Sequence, residues 1–320
     1  MRFVFFITFL LLSRVLSFSQ GIETMDKDRI LKNKIRTQTL FEYDYVKGKP
    51  GQKGTKARID SFDTQGNRVE QINYRFNGSV HYIVSFKYDG MGNKTGYSKY
   101  SPTDKDLNYK QNIKFDSKGN RLMETGVNGS DSFKIVYNYK TIGKLAEVNY
   151  FLRKKLDEKR KFTYLNNTAE LKVLDGDGNN KFTQKNTYSA SGKILEETRI
   201  EPDQSVSRKI VYTYDKNDNL TSETKYLLGK MAGKITRIYN DQGLLSEVYQ
   251  EGSDGQKFMT NKYVYNDKNW LIEEQSRSEA NKDFSKNTFT YDANGICKTM
   301  DSYYATYKQQ VLSVFMYDFY

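Results

Sequence analysis

One histidine and one cysteine, His81 and Cys297, set the first limit on the chemistry open to this 320-residue chain. A Ser-His-Asp or Cys-His device, or a tetrahedral zinc centre, needs more such side chains than these two supply. An intrachain disulfide cannot form from a single Cys. His81 follows the turn pair Asn77-Gly78 and reads as an ordinary strand residue. Cys297 stands where equivalent segments carry Leu220, Leu245 and Leu271, so it reads as a small core hydrophobe.

Oxygen-rich segments go little further. Asp175-Gly176-Asp177-Gly178-Asn179-Asn180 begins like a calcium loop, but Asn180 and Asn186 occupy the positions that require Gly and Glu. It reads as a turn. Lys53-Gly54-Thr55 has the wrong order for a phosphate loop. Glu70, Glu147, Glu196, Glu247 and Glu273 recur eight residues after a repeated aromatic. Two carboxylates facing one cleft could hydrolyse a polysaccharide, but regular recurrence fits a surface ladder with Lys or Arg across the strand. No enzymatic activity, cofactor or metal is therefore expected.

The densest charge lies in Arg153-Lys154-Lys155-Leu156-Asp157-Glu158-Lys159-Arg160-Lys161, a turn without Gly or Pro flanked by Tyr150-Phe151 and Phe162-Tyr164. A solvated hairpin tip is the plain reading. If a polyanion binds, Arg153, Lys154, Lys155, Lys159, Arg160 and Lys161 are its first candidates.

The elements that position these groups follow from a repeat. An aromatic, then commonly Asp or Asn, then a Gly four residues after the aromatic, recurs at Phe62, Tyr88, Phe115, Tyr139, Tyr164, Tyr188, Tyr214, Tyr239, Tyr265 and Tyr291, at intervals of 24 to 27 residues. A partial copy starts at Tyr317-Asp318. Where Gly is missing, Asp218 and Asn269 also accept positive φ, whereas Thr168 fits poorly. Each copy predicts a hairpin with a type I turn closed by a left-handed residue. Apolar residues such as Tyr137, Phe162, Tyr212 and Phe289 alternate with the polar Asn138, Thr163, Thr213 and Thr290, a period of two with one aromatic face. Further turns fall midway, at Asn77-Gly78, Asn128-Gly129, Pro202-Asp203 and Gly229-Lys230.

Some 22 strands would extend about 100 Å in one sheet, which must twist, coil or close. The fold class expected is all-β: a long antiparallel meander of about ten two-stranded repeats, forming an elongated, twisted or coiled, β-solenoid-like sheet. An outer-membrane barrel is rejected because return strands such as Thr221-Ser222-Glu223-Thr224-Lys225-Tyr226 carry Glu and Lys on one face and Ser and Thr on the other.

Met1-Arg2 and the apolar run Phe3 to Leu12, with a small-x-small site at Ser17-Phe18-Ser19, predict a signal peptide over residues 1–19. Residues 20–58 form a leader with a short helix and a first strand, Lys34 to Tyr45, and residues 59–320 the repeat domain. Val46 to Lys56 reads as a flexible connector. No second apolar stretch is long enough to span a bilayer. Without Arg2 and Arg14 the formal charge falls from +12 to +10, suited to anionic glycan or membrane surface, although charge spread over every repeat also keeps a sheet soluble.

Tyr214-Asp215-x-x-x-Asn219-Leu220-Thr221, Tyr88-Asp89-x-x-Gly92-Asn93 and Tyr291-Asp292-x-x-Gly295 resemble the YD repeats of RHS-type proteins, from about Ile59 to Tyr320. That resemblance implies coiled β shells around a toxin, or extracellular adhesion modules with glycan or protein contacts. The period near 25, only three prolines and no self-cleaving core segment depart from the large members, so neither a toxin cargo nor a closed shell is implied. The expectation is an exported, non-catalytic binding or scaffolding protein of the bacterial cell envelope, periplasmic, outer-membrane-associated or secreted. Its partner is expected to be an envelope protein or anionic glycan, and nucleic acid is not expected. The alternatives are an accessory or immunity-type component of a toxin or secretion system, or a polysaccharide-acting enzyme.

Overall fold

The computed structural model describes residues 27–104, 107–141, 143–278 and 282–320. The predicted signal peptide lies outside the described residues. A short helix, Lys27–Lys32, precedes an uninterrupted run of antiparallel strands in which each long strand pairs with its neighbours in the chain.

The sheet does not stay open. Ile35–Val46 pairs on one side with Thr55–Phe62 and on the other with the last strand, Gln309–Phe319, in register from Thr37↔Asp318 to Asp44↔Val311. Twenty-two long strands thus close into a barrel, with the two-residue strand Lys49–Pro50 outside the count. This corrects the expected open, coiled or solenoid-like sheet. An open sheet would leave two long strands with unpaired backbone groups, and a closed one leaves none. Closure also completes the partial copy at Tyr317: its incoming strand is Gln309–Phe319, and its return strand comes from the other end of the chain, Ile35–Val46. Twenty-two strands are ten hairpins plus one hairpin divided between the termini.

The hairpins are built as their residue types demand. In the turn after Tyr214 the Gly-equivalent Asp218 has φ 65°, its N–H donates to the Asp215 carbonyl, and the Asp215 N–H donates to the Asn219 carbonyl. The Asp215 carboxylate accepts from the Asn217 and Asn219 N–H groups and, through its second oxygen, from the Asn219 amide. The same arrangement recurs at Asp63, Asp89, Asp116 and Asp175. A register shift beside the repeat aromatic, as at Thr213/Tyr214 and Thr290/Tyr291, accommodates the extra residue. Thr168 has no such role, because Leu165 pairs directly with Thr168 and Asn166 takes the left-handed conformation instead, with φ 50°.

The repeat tyrosine stitches neighbouring strands. Hydroxyls of Tyr88, Tyr214, Tyr239, Tyr265, Tyr291 and Tyr317 donate to the carbonyls of Arg68, Ile194, Leu220, Leu245, Leu271 and Cys297, at 2.6 to 3.0 Å. At the seam the Tyr320 hydroxyl donates to the Phe62 carbonyl and the Thr37 hydroxyl to Asp318. The helix Lys27–Lys32 covers this end, burying Ile30 with Ile35, Phe62 and Ile296.

Val46 to Lys56 is ordered. Val46 pairs with Lys49 through a tight turn at Lys47 and Gly48, both at positive φ, and Gly54 packs flat against the Tyr43 ring. Sizeable contacts between elements run only along the ladder. The barrel is a single hollow layer with both faces wet.

Two tests follow from this architecture. Asp215→Ala removes three hydrogen bonds from one turn and should cost about 1–2 kcal/mol in urea unfolding; an unchanged midpoint would show that the turn chemistry is dispensable. Truncation before Gln309 should produce self-association in light scattering, since it exposes the long edges of Ile35–Val46 and of Cys297–Tyr304. A truncated chain that associates no more than the full one would contradict the seam's importance.

Candidate functional site

Strand pairing sorts the side chains onto two faces. Tyr82, Val84, Phe86, Tyr97, Tyr109, Ile113, Ile135, Val148 and Phe162 share one face, and the buried hydrophobic residues concentrate on it. The opposite face carries Thr, Lys and Glu, including the recurrent Glu147, Glu196 and Glu273. Glu196 pairs with Lys209 and Glu273 with Lys286, both at 2.6 Å, and Lys159 lies 3.9 Å from Glu147. These glutamates form the cross-strand ladder that their spacing foretold.

A second glutamate series went unnoticed in the sequence. Nine residues after the repeat aromatic, Glu124, Glu197, Glu223 and Glu274 lie on the aromatic face. The pattern is as regular as that of the first series, but offset by one residue and so on the other side of the sheet. Glu124 is 3% exposed and accepts from Gln111, Arg121 and the Tyr137 hydroxyl. Burial raises Glu197 and Glu274 above the usual carboxylate range. Tyr212 faces Glu223 across the ladder and is pushed up by burial and by the charges of Glu197 and Glu223. The Arg208 charge partly offsets the rise at Glu197, and Arg237 lies 3.5 Å from Glu223.

A recess lies on the same face, where Arg68–Tyr74, Val80–Tyr88 and Lys94–Tyr100 adjoin. It encloses about 460 Å³ and is lined by Arg68, Gln71, Tyr82, Val84, Phe86, Tyr88, Lys94, Tyr97 and Lys99. Asp60, 2% exposed, anchors its base: Gln71 donates to Asp60 at 3.0 Å, and Arg68 and Arg58 lie 3.5 and 2.7 Å from its oxygens. Lys99 sits 4.2 Å from the Tyr82 ring centre, and Lys94 sits over both Phe86 and Tyr97. Neither lysine has a carboxylate within 4 Å among the described residues. Burial holds the Lys94 ammonium below its ordinary range, with Arg121 adding to the effect and Glu124 opposing it.

A line of rings leads out of the recess. Phe86, Tyr97, Tyr109 and Phe133 contact in sequence at 5.6, 5.5 and 5.9 Å between centres. Tyr109 and Phe133 come from strands that are not neighbours and stack over Gly126 between them. A Cβ there would lie 2.5 Å from the Phe133 ring. Burial pushes Tyr109 up to about 12, with Glu124 and Tyr97 adding to the effect, so its phenol stays protonated and can donate.

The sequence-predicted cations are not brought together. Arg153 and Lys154 form the hairpin tip at positive φ, with Lys155 next to them and Arg153 bound to Asp131 at 2.5 Å. Lys159 and Lys161 point to the polar face. Arg160 lies on the aromatic face, over the Tyr150 ring and 2.7 Å from Glu158. His81 and Cys297 sit on strands with four others between them. His81 packs edge-on against Tyr82, and Cys297 packs against the cluster of Leu40, Met300 and Phe315, where burial pushes its thiol up to about 12. At Asp175 the carboxylate is occupied by its own turn, and among the described residues no three potential metal ligands gather.

No family model and no curated protein matches this chain. Similar solved structures include the toxin complex TcdB2-TccC3 without its hypervariable C-terminal region, at 11% identity and a TM-score of 0.37, over 81% of this chain and 14% of that one. Porin-like proteins from Bacteroides uniformis and Bacteroides vulgatus match at 12% and 8% identity with TM-scores of 0.33 and 0.23, each over 89% of this chain and 97% and 99% of theirs. This chain thus spans about a seventh of the toxin-complex chain. Likenesses this distant carry no inference about function.

Burial raises the Glu274 carboxyl, so the folded protein binds that proton more tightly than the unfolded chain. Its contribution to stability is therefore greatest below the ordinary carboxylate pKa and is lost as pH rises through the folded value. Glu274→Gln should raise the melting temperature at neutral pH, and the gain should vanish in acid. An equal gain at both pH values would show that ionisation is not the cause.

Proposed function

We propose that the chain is a non-catalytic binding protein of the bacterial cell envelope that holds an anionic oligosaccharide along its aromatic face. The observation behind this reading is the line Phe86, Tyr97, Tyr109 and Phe133 leading out of a recess whose two lysines have no carboxylate within 4 Å among the described residues. Successive rings offer flat apolar surfaces to sugar C–H faces, while Lys94, Lys99 and Arg68 supply charge at one end. A carboxylate or sulfate there would take the place of the π-faces on which the two ammonium groups now rest. The raised phenols remain donors at neutral pH, suited to sugar hydroxyls.

The barrel is read as standing in water, not as spanning a bilayer. Among the described residues neither face is apolar: Thr, Lys and Glu occupy one, and Glu197, Arg199, Glu223 and Arg237 interrupt the other. No described helix is long and apolar enough to cross a membrane. Export rests on the N-terminal signal pattern.

Calorimetric titration with a uronic-acid oligomer, beside a neutral glucose oligomer, tests the reading. The uronate should bind, and Lys94→Gln with Lys99→Gln should weaken it about tenfold or more while leaving folding intact. If the wild type ignores both sugars, or the double variant binds the uronate as before, the proposal fails.

A further inference from the structure

The mid-repeat end of the barrel carries a second feature, away from the recess. Three adjacent tips meet around the seam: residues 305–308, 46–54 and 75–79. Six strands of this arc span roughly 24 Å of rim at ordinary strand spacing. Phe76, Tyr307 and Val46 are 79%, 78% and 61% exposed at its outermost points, with Pro50 also exposed. Around them stand six cations, Lys47, Lys49, Lys53, Lys56, Arg75 and Lys308, all exposed except the half-buried Arg75. The acids of these strands, Glu42, Asp44 and Asp301, lie below the tips, and Asp301 accepts from Tyr45 and Gln310. Asp104 and Asp283 stand on the two flanking tips, and Arg75 reaches the first of these through Thr103.

Other tips at this end are different. Arg153 is matched by Asp131, and further round the rim stand Asp175, Asp177, Glu201, Asp203 and Asp254. Among the described residues, Leu228 beside Lys230 and Leu152 beside Lys154 and Lys155 also set exposed apolar next to basic side chains, but the seam arc gathers three strongly exposed apolar side chains and six cations on adjacent tips. An apolar side chain at such a tip is poorly explained by folding, since it buries almost nothing in the barrel. Basic residues ringed about exposed aromatics match a surface that is anionic outside and apolar beneath.

We propose that this arc docks the barrel, rim first, onto an anionic phospholipid surface. The phosphates meet Lys47, Lys49, Lys53 and Lys308, while Phe76, Tyr307 and Val46 enter the headgroup layer. The hairpin at Lys47-Gly48 and the ring of Tyr43 under Gly54 hold the central tip in shape before contact, so little ordering is lost on binding. This inference does not depend on what the recess holds.

Sedimentation of the full chain with phosphatidylglycerol-containing vesicles tests it, with pure phosphatidylcholine vesicles as the comparison. Binding should be confined to the anionic vesicles and weaken as salt is raised. Lys47→Glu, Lys49→Glu and Lys53→Glu together should reduce partition on the order of a hundredfold. Phe76→Ser with Tyr307→Ser should also reduce it, and Lys154→Glu with Lys155→Glu, at another tip, should not. As a second readout, emission of Tyr307→Trp should shift to the blue with anionic vesicles; Trp270, near the turn at Gly295 on the other end, serves as background. The proposal is overturned if the wild type leaves anionic vesicles unbound, if the triple variant binds unchanged, or if Tyr307→Trp shows no shift. It is equally overturned if the arc variants abolish only self-association of the protein.

Discussion

The ladder between Ile35–Val46 and Gln309–Phe319 joins residues as far apart as Ile35 and Phe319, and without it the sheet would end in two long unpaired edges. Every other strand pair is local, formed between neighbours in the chain through a short turn. Such pairs are easily made and individually replaceable. The seam is neither, because its loop-closure cost spans the whole chain. Its reinforcement is correspondingly dense: Thr37 to Asp318, Gln38 to Tyr317, Tyr320 to Phe62, and a helix buried over the joint.

Closure changes what the repeated aromatic residues do. In a two-layer fold they would meet a second sheet and exclude water. Here no second layer exists, so each ring packs sideways against rings and stems on adjoining strands, as in the cluster of Ile135, Val148, Phe162, Leu171 and Val173. Tyr suits that role better than Phe because its hydroxyl reaches a carbonyl on the next strand. The same lack of cover explains why charged side chains are tolerated on the aromatic face. Asp60 and Glu124 are deeply shielded, yet each is met by Arg and amide partners, and Glu197 and Glu274 keep enough contact with water to remain titratable.

Charge placement then separates the two faces and the rim. On the polar face Glu and Lys alternate across strands and cancel locally, which maintains solubility and discourages edge contacts. In the recess, Lys94 and Lys99 rest on aromatic rings with no carboxylate opposite, an arrangement that leaves positive potential unspent. That contrast sets the recess apart from the locally balanced polar face.

Residue order alone determined the hairpins, their turn type, the alternation of faces and the number of strands, because these depend on contacts within about 25 residues. Asp-x-x-Gly specifies its own turn, and alternation specifies its own face. The first glutamate ladder was legible for the same reason. The second series was equally periodic but lay where an aromatic face was expected, and the cations of residues 153–161 read as one patch although a strand sends successive side chains to opposite sides. Only the tertiary structure decided that the sheet closes, that the C-terminal half-repeat is completed by the N-terminal strand, and that Lys94 and Lys99 share a recess with Arg68. Those outcomes depend on twist summed over all the strands and on a pairing between distant ends, and neither quantity is written in any local stretch.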